Sequence, residues 1–213
     1  MLAVDKALLE SSNAYKYTLS VRENNKLKIR EALFSEGLRL FSEKGLQHTT
    51  VSDIVQAVGI ARGTFYNYYD DVQSLFEALI QSINNTIQED IKSKRKAATS
   101  VYEYLYTTFK GYFDFVTAPQ MKSFHTKNQA AIRQSTYQSE QIRAVIRDIN
   151  RDLRKDPNIN AFDENYEFLL LSIMLVGAPP ELFLATHSSA AEFSSEQLAS
   201  FLATTFHRVL VKE

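Results

Sequence analysis

The stretch "TVSDIVQAVGIARGTFYNYYDD", residues 50–71, decides the fold because it holds two short helical patterns with almost no linker between them. The apolar residues of the first pattern recur at i, i+3, i+4 and i+7, which is one face of a helix: Val51, Ile54, Val55 and Val58. Thr50 is the predicted N-cap of this helix, Asp53 its capping-box partner and Gly59 its end. Two helices joined so closely must cross steeply, which predicts a helix-turn-helix unit.

The second of these helices is crowded with aromatic side chains, and helical geometry divides them into two sets. Phe65 and Tyr69 are four residues apart and share one face, so both are predicted to be structural. The other faces carry a guanidinium group, hydroxyls and an amide, which hydrogen-bond phosphates and base edges. Residues 22–72 contain seven basic and seven acidic residues, so contact with DNA depends on local groups and on the helix dipole.

Helical periodicity continues on both sides of this unit. An apolar stripe that begins at Leu33 ends at Gly45, a predicted helix C-terminus. A second stripe predicts a long helix that starts at Val72, with Asp71 as its N-cap. Further stripes predict later helices, the last two at roughly 163–186 and 195–211. No strand-type alternation of useful length is present, so the sequence predicts an all-α fold.

The composition excludes several classes of function. The chain has 213 residues, a formal net charge of −1 and no cysteine, which rules out disulfides, thiolate metal sites and thiol catalysis. Its four histidines are scattered, and no glycine-rich phosphate loop or nucleophile motif stands out, so we predict no enzyme, no metal and no cofactor. The N-terminus lacks the pattern of a secretion signal, and Pro179 and Pro180 interrupt the apolar run 168–185. We therefore expect a cytoplasmic protein whose apolar run is a buried helix that the prolines bend or break.

Residues 33–75 resemble the N-terminal DNA-binding region of the TetR family of bacterial regulators. The matching features, in order, are Leu40–Phe41, Gly45, Thr49–Thr50, Ile54, Gly59 and the "GTFYNYY" segment, residues 63–69. The resemblance implies an N-terminal three-helix domain with a helix-turn-helix, followed by a larger helical domain for ligand binding and dimerisation. We therefore predict an N-terminal extension at 1–22, a DNA-binding domain at 23–72, and an effector-binding and dimerisation domain at 73–213. The extension is predicted to be a helix packed on the first domain, an arm that reaches DNA, or a segment without order.

The family pattern also implies which residues meet DNA. The predicted DNA contacts are Thr49, Thr50, Arg62, Gly63, Thr64, Tyr66, Asn67 and Tyr68. Of these, Thr49 and Thr50 are expected to approach the phosphate backbone, and Arg62 and Gly63 the base edges. The chain departs from the family pattern at Ala61, where a serine N-cap is frequent, and at Val72, where a phosphate-contacting lysine is frequent. Asp70 and Asp71 add negative charge nearby, so we expect weak nonspecific affinity for DNA.

The later part of the chain is rich in aromatic residues, which leave irregular space when they pack between helices. In the TetR family this region is the effector chamber. The residues predicted to bind an apolar or aromatic effector are Tyr106, Phe109, Tyr112, Phe113, Phe124, Tyr137 and Tyr166. The resemblance further implies a homodimer through the last two helices, which presents two reading heads about one DNA turn (~34 Å) apart to a palindromic operator.

The sequence therefore predicts a ligand-responsive transcriptional regulator, a repressor in the first instance, with double-stranded DNA and a small molecule as partners and no membrane. A second interpretation remains open. The neutral charge around the helix-turn-helix also fits a co-regulator of the same fold that docks on another protein and binds little or no DNA.

Overall fold

The computed structural model describes residues 20–160, 162, 166–187 and 192–212. Within these residues the chain is helical, and the only strand-like pairing is a single antiparallel bridge between Ile159 and Val211. The predicted all-α fold is confirmed. The predicted N-terminal extension lies almost wholly outside the described residues.

The described residues form nine α-helices and one 3-10 turn, which are joined by loops. In chain order they are α1 (Val21–Lys44), the 3-10 turn (Leu46–His48), α2 (Val51–Val58), α3 (Arg62–Tyr66), α4 (Val72–Arg95), α5 (Val101–Val116), α6 (Pro119–Gln138), α7 (Glu140–Leu153), α8 (Glu167–His187) and α9 (Ser195–Leu210). The helix-turn-helix predicted from residues 50–71 corresponds to α2 and α3.

The chain divides into two compact units. Among the described residues, the first unit holds the chain up to Thr86 together with Gln120–Ser135. The second holds Ile87–Pro119 and the chain from Thr136 onward. The boundaries between the units therefore fall inside α4 and α6. The functional domain limits at 23–72 and 73–213 stay a prediction.

The core of the first unit forms where α1 and α4 bring aromatic rings together. Phe41 of α1 meets Phe76 of α4 edge to face, with ring centroids 5.1 Å apart. Gly37 allows close packing here, because a Cβ built on it would lie 3.4 Å from Cδ2 of Leu75. Such contacts between fully buried rings and leucines hold the helices that carry the helix-turn-helix.

The second unit is built around α5 and α9. Phe109 of α5 and Phe206 of α9 are both buried, with ring centroids 5.8 Å apart. Gly111 of α5 is required where α4 crosses it, since a Cβ on this residue would lie 2.7 Å from Cγ1 of Ile91. At the end of the chain, the bridge of Val211 to Ile159 fastens the segment after α7.

Helix α8 is continuous where we predicted a bend or a break. It runs through Pro179 and Pro180 without ending, so the break does not occur. Pro179 lies on the buried face of the helix, and neither proline can donate a backbone hydrogen bond. Only one face of α8 is buried within a single chain, and the predicted cover of its other faces by a second copy stays a prediction. Among the described residues, α8 is the one helix long and apolar enough to cross a membrane, and 28% of its apolar window is buried.

Candidate nucleic-acid interface

The start of α2 has the geometry that its sequence predicts. The Thr50 side chain accepts a hydrogen bond from the Asp53 amide at 3.2 Å, and the Asp53 carboxylate accepts one from the Thr50 amide at 2.8 Å. This is a complete capping box. An ion pair with Lys44 and the hydrogen bonds from Thr50 lower the pKa of Asp53 to about 2. Gly59 then ends α2 in the left-handed conformation, with φ of 74°.

Helix α3 is anchored by one buried ring. Phe65 is fully buried, and its centroid lies 6.1 Å from that of the half-buried Tyr69. Tyr69 in turn stacks on Phe34 of α1 at 6.3 Å, and burial raises the pKa of its hydroxyl. Both rings therefore face the core of the first unit, as their spacing predicts. The side chains on the opposite side of α3 are left to face solvent.

The solvent side of α3 carries most of the predicted DNA contacts. Arg62, Gly63, Tyr66 and Asn67 are exposed, and Tyr66 has 46% of its surface accessible. A Cβ built on Gly63 would meet nothing within 4 Å, so this backbone is open to a close approach. Thr64 of α3 and Tyr68, two residues after the helix, have partly buried side chains.

The side chains of Arg62 and Tyr66 contact each other on this surface. Nη2 of Arg62 lies 3.3 Å from the Tyr66 hydroxyl oxygen and Nε lies 3.4 Å from it. The guanidinium carbon is 5.9 Å from the centroid of the tyrosine ring. Because the residues are one helical turn apart, the tyrosine holds the guanidinium against the helix while both remain exposed.

The two predicted threonine contacts have different settings. Thr50 is exposed at the N-cap of α2. Thr49 is buried, and its hydroxyl donates to the carbonyl of Gly45 at 2.8 Å. Thr49 is thus committed to the turn between α1 and α2. The role of each of these residues in binding DNA stays a prediction.

The N-termini of α3 and of the helix that follows it, α4, differ in their caps. Ala61 provides no side-chain cap, as its sequence indicates. Asp71 caps α4, since its carboxylate accepts a hydrogen bond from the Ser74 amide at 2.7 Å. One of the two aspartates that follow α3 therefore has a structural use.

The phenylalanines predicted to bind an effector lie in the cores of both units. Phe124 of α6 belongs to the first unit, where its ring centroid is 5.7 Å from that of Phe76. Phe109 and Phe113 are buried in the core of the second unit. The three rings are thus divided between the two units. Their role in an effector chamber stays a prediction.

The predicted tyrosines all lie in the second unit, in unequal settings. Tyr106 and Tyr112 are partly buried on α5, whereas Tyr137 and Tyr166 are exposed. A Cβ on Gly177 of α8 would lie 3.0 Å from the Tyr137 hydroxyl, so the glycine makes room for this ring. Their role as effector contacts is likewise a prediction.

Tyr112 has the most unusual environment of the four tyrosines. Burial raises the pKa of its hydroxyl, and the neighbouring Glu181 carboxylate and Tyr137 hydroxyl raise it further. Tyr112, Tyr137 and Glu181 therefore influence one another electrostatically within the second unit. Such a grouping can hydrogen-bond the polar end of an otherwise apolar ligand.

An open groove between α5 and α9 was not predicted. Its volume is about 810 Å³ and its wall includes the stacked rings of Tyr102 and Tyr106, whose centroids are 6.2 Å apart. The opposite wall includes Phe201 and Arg208 of α9. The i, i+4 spacing of the tyrosines was the available signal, although it indicates a helix face and not a groove.

The basic run at residues 92–96 ends α4 and is joined to α7. Lys92 pairs with Asp148 at 3.3 Å and Arg95 with Asp152 at 3.6 Å. Arg95 also lies over the ring of Tyr104, 4.9 Å from its centroid. The run therefore connects α4 to α7 through ion pairs within the second unit. Among the described residues no group of three or more histidines, aspartates and glutamates is placed to hold a metal.

Helices α8 and α9 expose large apolar side chains in a single chain. Those of α8 are Leu169, Leu170, Ile173 and Met174, and those of α9 are Phe201 and Val209. On α8 they follow the spacing i, i+1, i+4 and i+5, so they form one continuous face. An apolar face of this kind marks a surface for association.

Comparison with known proteins identifies the part of the chain around α2 and α3. The family described as "Bacterial regulatory proteins, tetR family" matches residues 33–79. The negative transcriptional regulator IcaR of the biofilm operon icaADBC, from Staphylococcus aureus, is 22% identical over 183 residues, which cover 79% of this chain and 94% of IcaR. The nucleoid occlusion factor SlmA of Haemophilus ducreyi is 39% identical over 75 residues, 33% of this chain and 37% of SlmA.

A similar fold is found among solved structures. The fatty acid degradation regulator FadR from Bacillus halodurans aligns with a TM-score of 0.66 at 16% identity, over 84% of this chain and 94% of that one. At this identity the likeness establishes the fold, which includes an N-terminal helix-turn-helix domain and a helical C-terminal domain.

Proposed function

The chain belongs to the TetR family of bacterial transcriptional regulators, and from this premise we propose that it is a repressor that binds a palindromic operator as a homodimer and is released by a small apolar or aromatic effector. The observation that carries the proposal is the solvent side of α3. There Arg62, Gly63, Tyr66 and Asn67 are exposed, whereas Phe65 is buried. Repression is the direction indicated by IcaR, which is named a negative regulator. A cytoplasmic location follows from this function.

The solvent side of α3 carries the groups that DNA recognition requires. The guanidinium of Arg62 can donate two hydrogen bonds to a guanine edge, and the Asn67 amide and Tyr66 hydroxyl can reach bases or phosphates. Gly63 offers backbone without a side chain in the way. We assign Thr50, Thr64 and Tyr68 to the flanks of this surface, with Thr49 holding the turn that precedes α2.

Dimerisation through α8 and α9 is supported by their exposed apolar faces. Met174, the most exposed of the four residues of the α8 face, has 57% of its surface accessible in a single chain. A second copy is the simplest cover for such a face, because a two-fold axis brings the same apolar patch to itself. Two copies related in this way present two α3 helices, which is what a palindromic operator needs.

The effector is proposed to bind in the second unit near Tyr112 and Tyr137. These hydroxyls, with Glu181, supply polar contacts beside an apolar core. An apolar ligand is also consistent with FadR, which is named for fatty acid degradation. Release of DNA requires the effector to bind one conformation better than the other by several kcal/mol, on the order of 5 for a near-complete shift.

The direct test is selection of a duplex from a random-sequence pool, followed by titration of that duplex. Wild-type protein is expected to enrich a palindrome, and Arg62→Ala to weaken binding to it by about 10- to 100-fold. Arg39→Ala is the matched control, because Arg39 is an exposed arginine of the same unit that pairs with Glu36 and Glu43 on α1. Equal losses for the two variants, or no enriched sequence, would overturn the proposal.

A second candidate function is supported by the charge of the first unit. Residues 22–72 carry equal numbers of basic and acidic residues, and SlmA, a relative over 33% of the chain, is named for a role other than transcription. A co-regulator that acts by contact with another protein fits this charge. Absence of any DNA binding in the titration, at low as well as at high salt, would favour the co-regulator over the repressor.

A further inference from the structure

A buried asparagine of α6 joins that helix to the start of the helix-turn-helix. Asn128 is 4% exposed and makes three hydrogen bonds within the first unit. Its Nδ2 donates to the carbonyl oxygens of Phe41 at 2.9 Å and Phe124 at 2.8 Å. Its Oδ1 accepts from the amide of Leu46 at 2.7 Å. Three of the four hydrogen bonds that this amide can make are thus used.

The two partners outside α6 lie on either side of the end of α1. Phe41 is in the last turn of α1, and Leu46 is the first residue of the 3-10 turn that leads to α2. Gly45 stands between them with φ of 81°, a conformation that glycine adopts without strain. One side-chain amide therefore spans the corner at which the chain leaves α1.

Neighbouring residues hold the same corner. A Cβ on Gly45 would lie 3.6 Å from the carbonyl oxygen of Lys127, so α6 lies against this glycine. The Lys127 ammonium donates to the carbonyl of Glu43. Beyond the corner, the Thr49 hydroxyl donates to the carbonyl of Gly45, directly before the capping box of α2.

The backbone of α6 is distorted at the residue that makes these contacts. Asn128 has φ of −120° and ψ of 18°, outside the helical range, and α6 is kinked there. The side-chain bond to Phe124, four residues earlier, satisfies a carbonyl in the turn that the kink disturbs. The kink and the three bonds occur together, so the side chain and the backbone of Asn128 serve one arrangement.

We infer that Asn128 is a positioning residue for DNA binding. By fixing Phe41 relative to Leu46, it sets the direction in which α2 and α3 leave α1. It acts through the turn and makes no contact with DNA itself. This inference rests on the proposed function, since it concerns how well the solvent side of α3 fits a duplex.

A purely stabilising role makes a different prediction, and the difference can be measured. If Asn128 only stabilises the fold, a variant that remains folded binds DNA as well as wild type does. If it positions the helices, the folded variant binds less well. Asn128→Ala is the test, and Ile83→Ala is its control, because Ile83 is buried in the first unit away from the corner.

The duplex selected by the wild-type protein is titrated with both variants well below their unfolding temperatures. We expect Asn128→Ala to lose at least 10-fold in affinity, with faster hydrogen exchange at the Leu46 amide, and Ile83→Ala to lose less than 3-fold. Equal affinities for Asn128→Ala and wild type, or equal losses for the two variants, would overturn the inference. Failure of the wild-type protein to select any duplex would instead remove the proposed function, and the inference with it.

A milder pair keeps the inference testable if Asn128→Ala does not fold. Lys127→Met removes the bond to the Glu43 carbonyl at an exposed position. Lys122→Met removes the same charge from the same helix, also at an exposed position of the first unit. Lys127→Met is expected to weaken binding to the selected duplex about 3-fold more than Lys122→Met does. Equal effects would contradict the inference.

Discussion

Lys44 and Asp53 form an ion pair between α1 and α2, with Nζ of Lys44 2.7 Å from Oδ2 of Asp53. Lys44 is the last residue of α1, and Asp53 is the capping-box residue of α2. The pair therefore uses one of the few basic side chains near α2 to hold the fold. Because about one-third of each side chain is exposed, its contribution to stability is modest.

The pair predicts a dependence of stability on acid pH. The folded chain holds the pKa of Asp53 at about 2, below the ordinary value of 3.8. The stabilisation is therefore complete above pH 3.8 and is lost as the pH falls toward 2. Asp53→Asn should remove about 0.5–1 kcal/mol of this dependence. Urea unfolding of both proteins between pH 5 and pH 2 measures it, and parallel curves would contradict the assignment.

Arg62 and Tyr66 are predicted to act together in DNA binding. Tyr66→Phe removes the hydroxyl that orients the guanidinium but keeps the ring, so we expect a loss of affinity of a few-fold. In the Arg62→Ala background the same change should cost much less, which corresponds to a coupling of about 0.5–1.5 kcal/mol. The measurement is a double-mutant cycle on the selected duplex. Strict additivity would show that the two side chains work independently.

Gly111 is predicted to be intolerant of a side chain because of Ile91. The Cβ of Gly111→Ala would lie 2.7 Å from Cγ1 of Ile91, so we expect a loss of about 1–3 kcal/mol in the free energy of unfolding. Ile91→Ala opens space at this contact. The double variant should therefore be more stable than the sum of the single losses indicates, by at least about 0.5 kcal/mol. Additive losses in urea unfolding would argue against this close packing.

Dimerisation is predicted to depend on the apolar face of α8. Met174→Glu places a charge on the most exposed residue of that face, so we expect the variant to sediment as a monomer at concentrations where wild type is a dimer. Gln138→Glu, at an exposed position of α6, adds the same charge elsewhere and should leave the dimer intact. Sedimentation velocity separates the two outcomes. A dimeric Met174→Glu protein would place the interface on another surface.

The elements of this fold were largely predictable because they depend on local patterns. The stripe Val51 to Val58, the cap at Thr50 and the end at Gly59 all lie within one short segment, and each has a local physical cause. The division of α3 into a buried Phe65 and an exposed Tyr66 follows from helical spacing alone.

What the sequence did not predict depends on contacts between distant residues. Nothing near Asn128 indicates that its side chain would meet the end of α1, more than 80 residues away. The same holds for Phe124, whose place beside Phe76 in the first unit is set by the path of α6. The continuation of α8 through Pro179 and Pro180 was likewise not indicated by the local sequence.

The equal numbers of basic and acidic residues around α2 and α3 have a consequence for how a protein of this kind would search a genome. Binding that displaces few counterions from DNA changes little with ionic strength. Such a regulator would spend little time on random sequence and would distinguish its target by fit of shape and hydrogen bonds. Its occupancy of that target would therefore change little when the salt concentration of the cell rises.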